Sequence, residues 1–278
     1  MIKLIRIEML KLYSRGLSYI GFVAIFLIVL VIEIGMFAEG QKLLDFLIKS
    51  LSEVFLLEGK LINIYTVTYI ILNSLWIHIP ILVAIVAGDM VSGEAGRGTF
   101  RLLLTRPVSR AKLLAAKFIT MQVYAALLVL LLMGMSLGFG RLFFESGDLI
   151  VLMDTINIFS EQDVLWRFLA AFGYGIISMW VVAALAFLFS VKASNSLGPV
   201  ISSMALLILF TIISNFSIGI FESVKPFLFT SYLNGWQLFF ADPVDLDQVA
   251  VSLFVLVVHI SVFYLASLIM FVKKDITS

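Results

Sequence analysis

The sequence predicts an all-α, polytopic membrane protein with six transmembrane helices, and three observations carry that prediction. Hydrophobic residues fill 62% of the 278 positions and charged residues only 13%, with a mean hydropathy of +1.13. A water-soluble domain is about half apolar and about a quarter charged, so lipid rather than an aqueous shell has to cover most of this surface. Six stretches reach the roughly 20 apolar residues that a lipid-crossing helix needs: 17–38, 63–88, 118–139, 168–190, 199–220 and 249–272. The charges between them are segregated. Lys3, Arg6, Lys11, Arg15, Arg97, Arg101, Arg106, Arg110, Lys112, Lys117, Lys192, Lys273 and Lys274 fall on one side. Only Lys42, Lys49, Lys60, Arg141, Arg167 and Lys225 fall on the other, together with Asp148, Asp154, Glu161, Asp163, Asp242, Asp245 and Asp247. Basic loops stay in the cytoplasm, so both termini are assigned to the cytoplasm and the chain to the cell (inner, cytoplasmic) membrane. There is no cysteine, which excludes disulfides, thiol catalysis and thiolate metal sites.

Residues 1–16 read as a cytoplasmic interfacial helix. Ile2, Ile5, Met9, Leu12 and Tyr13 form one stripe, with Glu8, Lys11 and Arg15 roughly opposite, the pattern of a basic amphipathic helix lying in the inner membrane interface. A simple positive-inside anchor is the alternative. Residues 17–278 then form a single six-span domain. The first apolar run is too long for a signal-peptide core and has no small-residue cleavage site, so it is read as a retained span. On the outer side, QKLLDFLIKSLSEVF sets Leu44, Leu47, Leu51 and Phe55 against Lys42, Lys49 and Glu53, a second interfacial helix. In the second span Pro80 lacks a backbone donor, which predicts a bend there. Residues 226–240 are apolar but too short to cross, and Pro226 and the Asn234-Gly235 pair interrupt them, which points to a short re-entrant or interfacial outer segment.

Little in the chain suggests catalysis. No His-Glu-x-x-His pattern, nucleophile elbow or paired-carboxylate site stands out, so neither an enzyme nor a metal site is expected. Met133 and Met135 read as lipid-facing filler rather than a soft-metal site. Glu33 is the only acid well inside a span, near its outer end, where a transport role competes with snorkelling or helix pairing. His78 and Pro80 are candidates for a pathway or hinge. Nothing matches a P-loop: Gly93–Thr99 is glycine-rich but has no lysine in place, so any ATP would be bound by another chain.

The stretch GEAGRGTFRLLLTRPVSR, residues 93–110, carries Arg97, Arg101, Arg106 and Arg110 against one acid, Glu94. Thr99 can cap a short helix, Gly98 permits its tight entry, and Pro107 ends it. Arg97, Arg101 and Thr105 share one face of that helix and Phe100, Leu103 and Leu104 the other. Ser109 can cap the helix that follows, which runs through Lys112 and Lys117 into the third span. Positive-inside topology and phospholipid headgroups account for the charge, but not for the Gly-Thr entry, the apolar face and the Pro-x-x-Arg exit together.

This arrangement of Asp89, Glu94, Gly98, Thr99, Phe100, Leu103, Leu104, Thr105, Pro107, Val108, Ser109, Arg110 and Lys117, between the second and third of six spans, resembles the type-2 ATP-binding-cassette (ABC) exporter permeases. It is nearest in flavour to the subgroup containing the permease of the nitrous oxide reductase maturation system. The topology matches along the whole chain, and the motif over about residues 89–117. The resemblance implies a permease subunit that pairs with a second permease subunit, a homodimer, around a path through the membrane lipids. It also implies two copies of a separate P-loop ATPase that bind ATP and Mg, with no nucleic acid and no cofactor in this chain. Carried onto this sequence, Glu94, Gly98, Thr99, Phe100 and Arg101 would form the coupling helix docked on the ATPase, and Pro107 and Arg110 would set its exit into the third span. Arg97 and Arg101 depart from the family, whose members often carry acidic or neutral residues there, and no large outer domain is present. The alternative is a stand-alone ion- or solute-coupled secondary transporter, which would normally need charged pairs or broken helices at the bilayer midplane.

Overall fold

The computed structural model describes residues 1–47, 61–98, 108–153, 156–216 and 219–273, with side chains in the first segment described through Lys42. Its elements in chain order are α1 (Ile2–Tyr13), α2 (Leu17–Leu47), α3 (Ile64–Leu75), α4 (Ile79–Gly96) and α5 (Arg110–Met133). Next come β1 (Leu149–Leu152), β2 (Ile156–Phe159), α6 (Glu161–Lys192), α7 (Leu197–Asn215) and α8 (Leu246–Lys273). Among the described residues six helices are long and apolar enough to cross a membrane: α2, α4, α5 with its continuation to Leu142, α6, α7 and α8. The chain is thus a multi-pass, all-α membrane protein.

Burial separates these helices into two groups. In the most apolar stretch of α4 and of α6, 72% of residues are buried, against 28% in α2, 17% in α8 and 11% in α7. The first two therefore form the centre and the last three the lipid-facing rim. Small residues make the centre possible, because apolar attraction between helices is weak in lipid and close backbone approach has to replace it. Gly88 of α4 lies against α7 so closely that a Cβ there would sit 2.9 Å from Val200 Cγ2. Gly175 of α6 is covered by Trp76 in the same way, at 3.1 Å.

The second span differs from its expected form. A bend at Pro80 was expected within one helix over 63–88, but the chain breaks earlier, at Trp76–His78, into α3 and α4. Pro80 sits in the first turn of α4, where its missing N–H would have had no partner anyway. Asn63 caps α3, its Oδ1 accepting from the backbone N–H of Tyr65 at 2.9 Å and of Thr66 at 3.0 Å. At its other end α4 continues to Gly96, so Asp89 and Glu94 are helical rather than part of a loop. In the stretch expected to form an outer interfacial helix, α2 simply runs on to Leu47, and 48–60 lie outside the described residues.

The third span does not end cleanly. After Met133, α5 widens into a π-helical turn, Gly134–Gly138, then tightens into a 3₁₀ turn, Phe139–Leu142. Thr68 of α3 braces the widened turn by donating to the Ser136 carbonyl at 3.1 Å.

The end of the bundle opposite α1 is closed by two features. One was not expected: β1 and β2 pair antiparallel, with Leu149 opposite Phe159 and Leu152 opposite Ile156. The other is the short apolar segment 226–240, which does not cross but folds into a 3₁₀ helix, Phe229–Phe240. It packs on α6, α7 and α8 with Phe229, Leu233, Trp236, Phe239 and Phe240 buried. Arg167 of α6 ties both features together. It is buried, pairs with Asp163 at 2.8 Å, donates to the carbonyls of Phe239 and Ala241, and lies 4.1 Å over the Phe159 ring. Tyr174 of α6 donates to the Tyr232 carbonyl at 2.6 Å, an approach that only a glycine at 235 permits, since a Cβ there would meet the phenol oxygen at 2.2 Å.

Gly235→Ala is accordingly expected to expel the Tyr174 hydroxyl and to destabilise the protein by about 1–3 kcal/mol, the usual scale for overpacking. A thermal unfolding scan of the purified protein in nanodiscs checks this, with Tyr174→Phe as the milder comparison.

Candidate functional site

The chemistry-bearing side chains gather at the end of the bundle that carries α1, the C-terminus of α4 and the N-terminus of α5. At the centre is Lys117 of α5, fully buried. Its Nζ lies 2.7 Å from Glu8 Oε2 of α1 and 2.7 Å from Glu94 Oε2 of α4. Lys11, one turn along α1, bridges the same two acids from the other side, 2.7 Å from Glu8 Oε1 and 3.1 Å from Glu94 Oε1. Arg15 follows, 2.7 Å from Asp89 Oδ2 and 3.7 Å from Glu94 Oε1. Three acids and three bases thus form one network spanning three helices, with Arg97 at its edge, 3.7 Å from Asp89.

The surrounding backbone is arranged to admit these groups. Asp89 folds over Gly93, where a Cβ would sit 2.0 Å from Asp89 Oδ1, and also accepts a hydrogen bond from Ser196 at the start of α7. Ser190, near the end of α6, accepts from the N–H groups of Val91 and Ser92 at 3.1 and 3.0 Å and donates to the Gly88 carbonyl. Arg110, at the start of α5, donates to the Val272 carbonyl of α8 at 3.1 Å. Four helices and the N-terminal helix therefore converge on one polar knot, and Arg110 ties α8 to the start of α5 beside it.

The inward side of α1 is mixed: Glu8 and Leu12 are buried together, 4% and 3% exposed, while Ile2, Lys3, Arg6, Ile7, Leu10 and Tyr13 face outward. Ionised groups taken out of water turn toward partners in the protein. The spacing Glu8, Lys11, Arg15 was the signal: an acid and two bases at i, i+3 and i+7 can meet one partner surface.

The sequence-derived site residues fall in different places. Glu94, expected to face a docked partner, is 3% exposed and held in the knot. Gly98 adopts φ +69, the left-handed conformation that ends α4, and its N–H bonds to the Ala95 carbonyl at 3.1 Å. Ser109 caps α5 by accepting from Lys112 N–H. Thr99, Phe100, Arg101 and Pro107 lie outside the described residues, as does the short helix expected there. His78 is exposed at the α3–α4 break and its Nδ1 is 2.9 Å from the Ser74 carbonyl, whereas Pro80 is buried. No group of three or more His, Asp or Glu side chains placed to hold a metal occurs among the described residues.

Glu33 stands apart from the knot. It lies on the buried stripe of α2 with Ile25, Val29 and Met36, is 0% exposed, and neither carboxyl oxygen has a hydrogen-bond partner. It faces the distorted end of α5: a Cβ at Gly140 would come within 3.0 Å of Oε1. A π-helical turn beside a buried carboxyl is a frequent mark of function in helices.

Fold and site together define a multi-pass helical membrane protein whose basic end is fastened by a buried ion network. The chain belongs to the family described as Protein of unknown function (DUF2705), whose model matches residues 51–277. It is also 30% identical over 203 residues to the Uncharacterized protein YhcI of Bacillus subtilis (strain 168), an alignment covering 70% of this chain and 63% of that protein. The match thus spans less than two thirds of the relative's length. Within the network, Asp89, Glu94 and Lys117 fall inside the family match, while Glu8, Lys11 and Arg15 precede it.

Removing one member of a buried ion pair strands the other, at a cost of about 3–5 kcal/mol. Lys117→Met is expected to lose stability on that scale, whereas Arg97→Ala, at the exposed edge, should change it by no more than about 0.5 kcal/mol. Apparent melting temperatures in nanodiscs distinguish the two. In the same measurement Glu33→Leu is expected to hold or raise the melting temperature, because it removes a buried carboxyl that no hydrogen bond compensates.

Proposed function

We propose that the chain is the permease subunit of an ATP-driven ABC transporter, an exporter that acts with a second permease subunit and two copies of a separate P-loop ATPase. In this reading the basic end is cytoplasmic, both termini lie in the cytoplasm of a cell whose inner membrane holds the protein, and ATP and Mg are bound by the partner.

One observation supports the reading above the others. α4 ends at the left-handed Gly98 and α5 begins at the Ser109 cap, and these two helix ends are joined through Glu94 and Lys117. A displacement of either end is thereby passed to the other, and through Glu8 to α1. Coupling requires a docked element whose displacement shifts an equilibrium between two arrangements of the spans. Glu94 then serves as the internal anchor of the coupling helix, while Phe100 and Arg101 remain the residues for external contact.

The second reading, a stand-alone ion- or solute-coupled transporter, is favoured by Glu33, a buried carboxyl beside a distorted helix. Such a protein would transport without ATP and would lose transport on Glu33→Gln.

The test is purification of the tagged chain from its native host, identification of co-purifying subunits by mass spectrometry, and measurement of ATP hydrolysis by the complex. A stoichiometric P-loop ATPase is expected. Phe100→Asp together with Arg101→Glu should cut its recovery at least about tenfold, the equivalent of 1.4 kcal/mol of binding, without altering the permease's melting temperature. If the intact protein carries no ATPase, the permease assignment falls.

A further inference from the structure

A pocket of about 520 Å³ opens between the start of α4, the far half of α7 and the segment 225–234, at the end of the bundle remote from the ion network. That volume lies in the range that accommodates small organic ligands. Its walls are unequal. Trp76, Met179, Leu207 and Leu233 make an apolar floor, whereas Lys225, Asn215 and Asn234 stand among the polar residues of its rim. Lys225 is half-buried and has no carboxylate within ion-pair distance among the described residues. The rim hydroxyls are already committed to one another: Ser214 bonds Thr230 at 2.8 Å and Ser231 at 3.0 Å. They hold the segment 225–234 against α7, and Lys225 is the one charged side chain among the described residues that line the cavity.

We infer that this pocket binds a single-chain amphiphile with an anionic head, the chain lying on Trp76, Met179 and Leu233 and the head paired with Lys225. This names a substrate class for the transporter proposed above and rests on that reading for its direction of movement, but not for binding itself. Charge complementarity selects the occupant. A cationic amphiphile would bring like charge to Lys225, and an uncharged one would leave the ammonium group beside an apolar chain without a counter-ion. No acid lines the pocket to serve a cationic head.

The experiment uses the full chain in nanodiscs without any ATPase. The probes are 12-bromododecanoate and its cationic counterpart, 12-bromododecyl-trimethylammonium, whose bromine quenches nearby tryptophan. Saturable quenching by the anionic probe is expected, with at least tenfold tighter binding than the cationic one, and Trp76→Phe should remove the quenched component. Lys225→Glu should reverse the preference. Equal quenching by the two probes, non-saturable quenching as in empty nanodiscs, or a preference untouched by Lys225→Glu would overturn the inference. So would an Ile208→Cys variant that cross-links quantitatively to a second copy while the anionic probe fails to bind, because the face would then belong to that copy. Because no ATPase is present, probe binding without a co-purifying ATPase would leave the pocket standing and remove the permease. A bound ATPase without probe selectivity would do the reverse.

Discussion

A single ammonium group shared between two carboxylates organises this protein. Lys117 is buried where neither water nor headgroups reach it, so it depends on Glu8 and Glu94 for its charge to be tolerated at all. That requirement fixes the roll of α1, because only one face carries Glu8. It also fixes the end of α4, because Glu94 has to arrive within 3 Å. Secondary constraints follow from it. Arg15 is drawn in behind Lys11, Asp89 comes with it, and Asp89 needs a glycine at 93 to lie flat on the helix. Stability alone does not call for the network, since buried ion pairs gain little over well-packed hydrophobic groups. What the ionic version adds is a demand for specific partners on three separate helices.

The two ends of the bundle are fastened by different physics. At the basic end, charges meet charges in a closed network of short contacts. At the far end the main fastening is aromatic: Trp76, Trp236, Tyr69, Phe168 and Phe240 interlock at centroid distances from 4.9 to 6.0 Å, with the Arg167–Asp163 pair beside them. The break at Trp76–His78 lies at the aromatic end, where Trp76 packs on Trp236.

The spans and their number were legible because lipid imposes length and composition on every crossing segment. One cap was legible too: Ser109 before α5 has local chemistry that needs no tertiary partner, whereas Gly98, read as the entry to a following helix, ends α4. The partners of α1 were not. Amphipathic spacing says that a helix has two faces, but not that Glu8 and Lys11 meet Lys117 and Glu94 on two other helices. The position of the break in the second span was also hidden, since Pro80 is permissive in a first turn and the break falls upstream of it. The hairpin 149–159 was masked by a different effect: in IVLMDTINIF the strand-forming residues stand out poorly in a chain that is apolar almost everywhere.

The sharing of Lys117 with Glu8 has a consequence for biosynthesis. The two residues are 109 positions apart, and at the usual rates of chain elongation about 5 to 20 seconds separate their emergence from the ribosome. Throughout that interval Glu8 has no Lys117 to meet, so the contact that holds α1 against α5 forms only after the start of the third span has been made. The N-terminal helix is synthesised first and completed late.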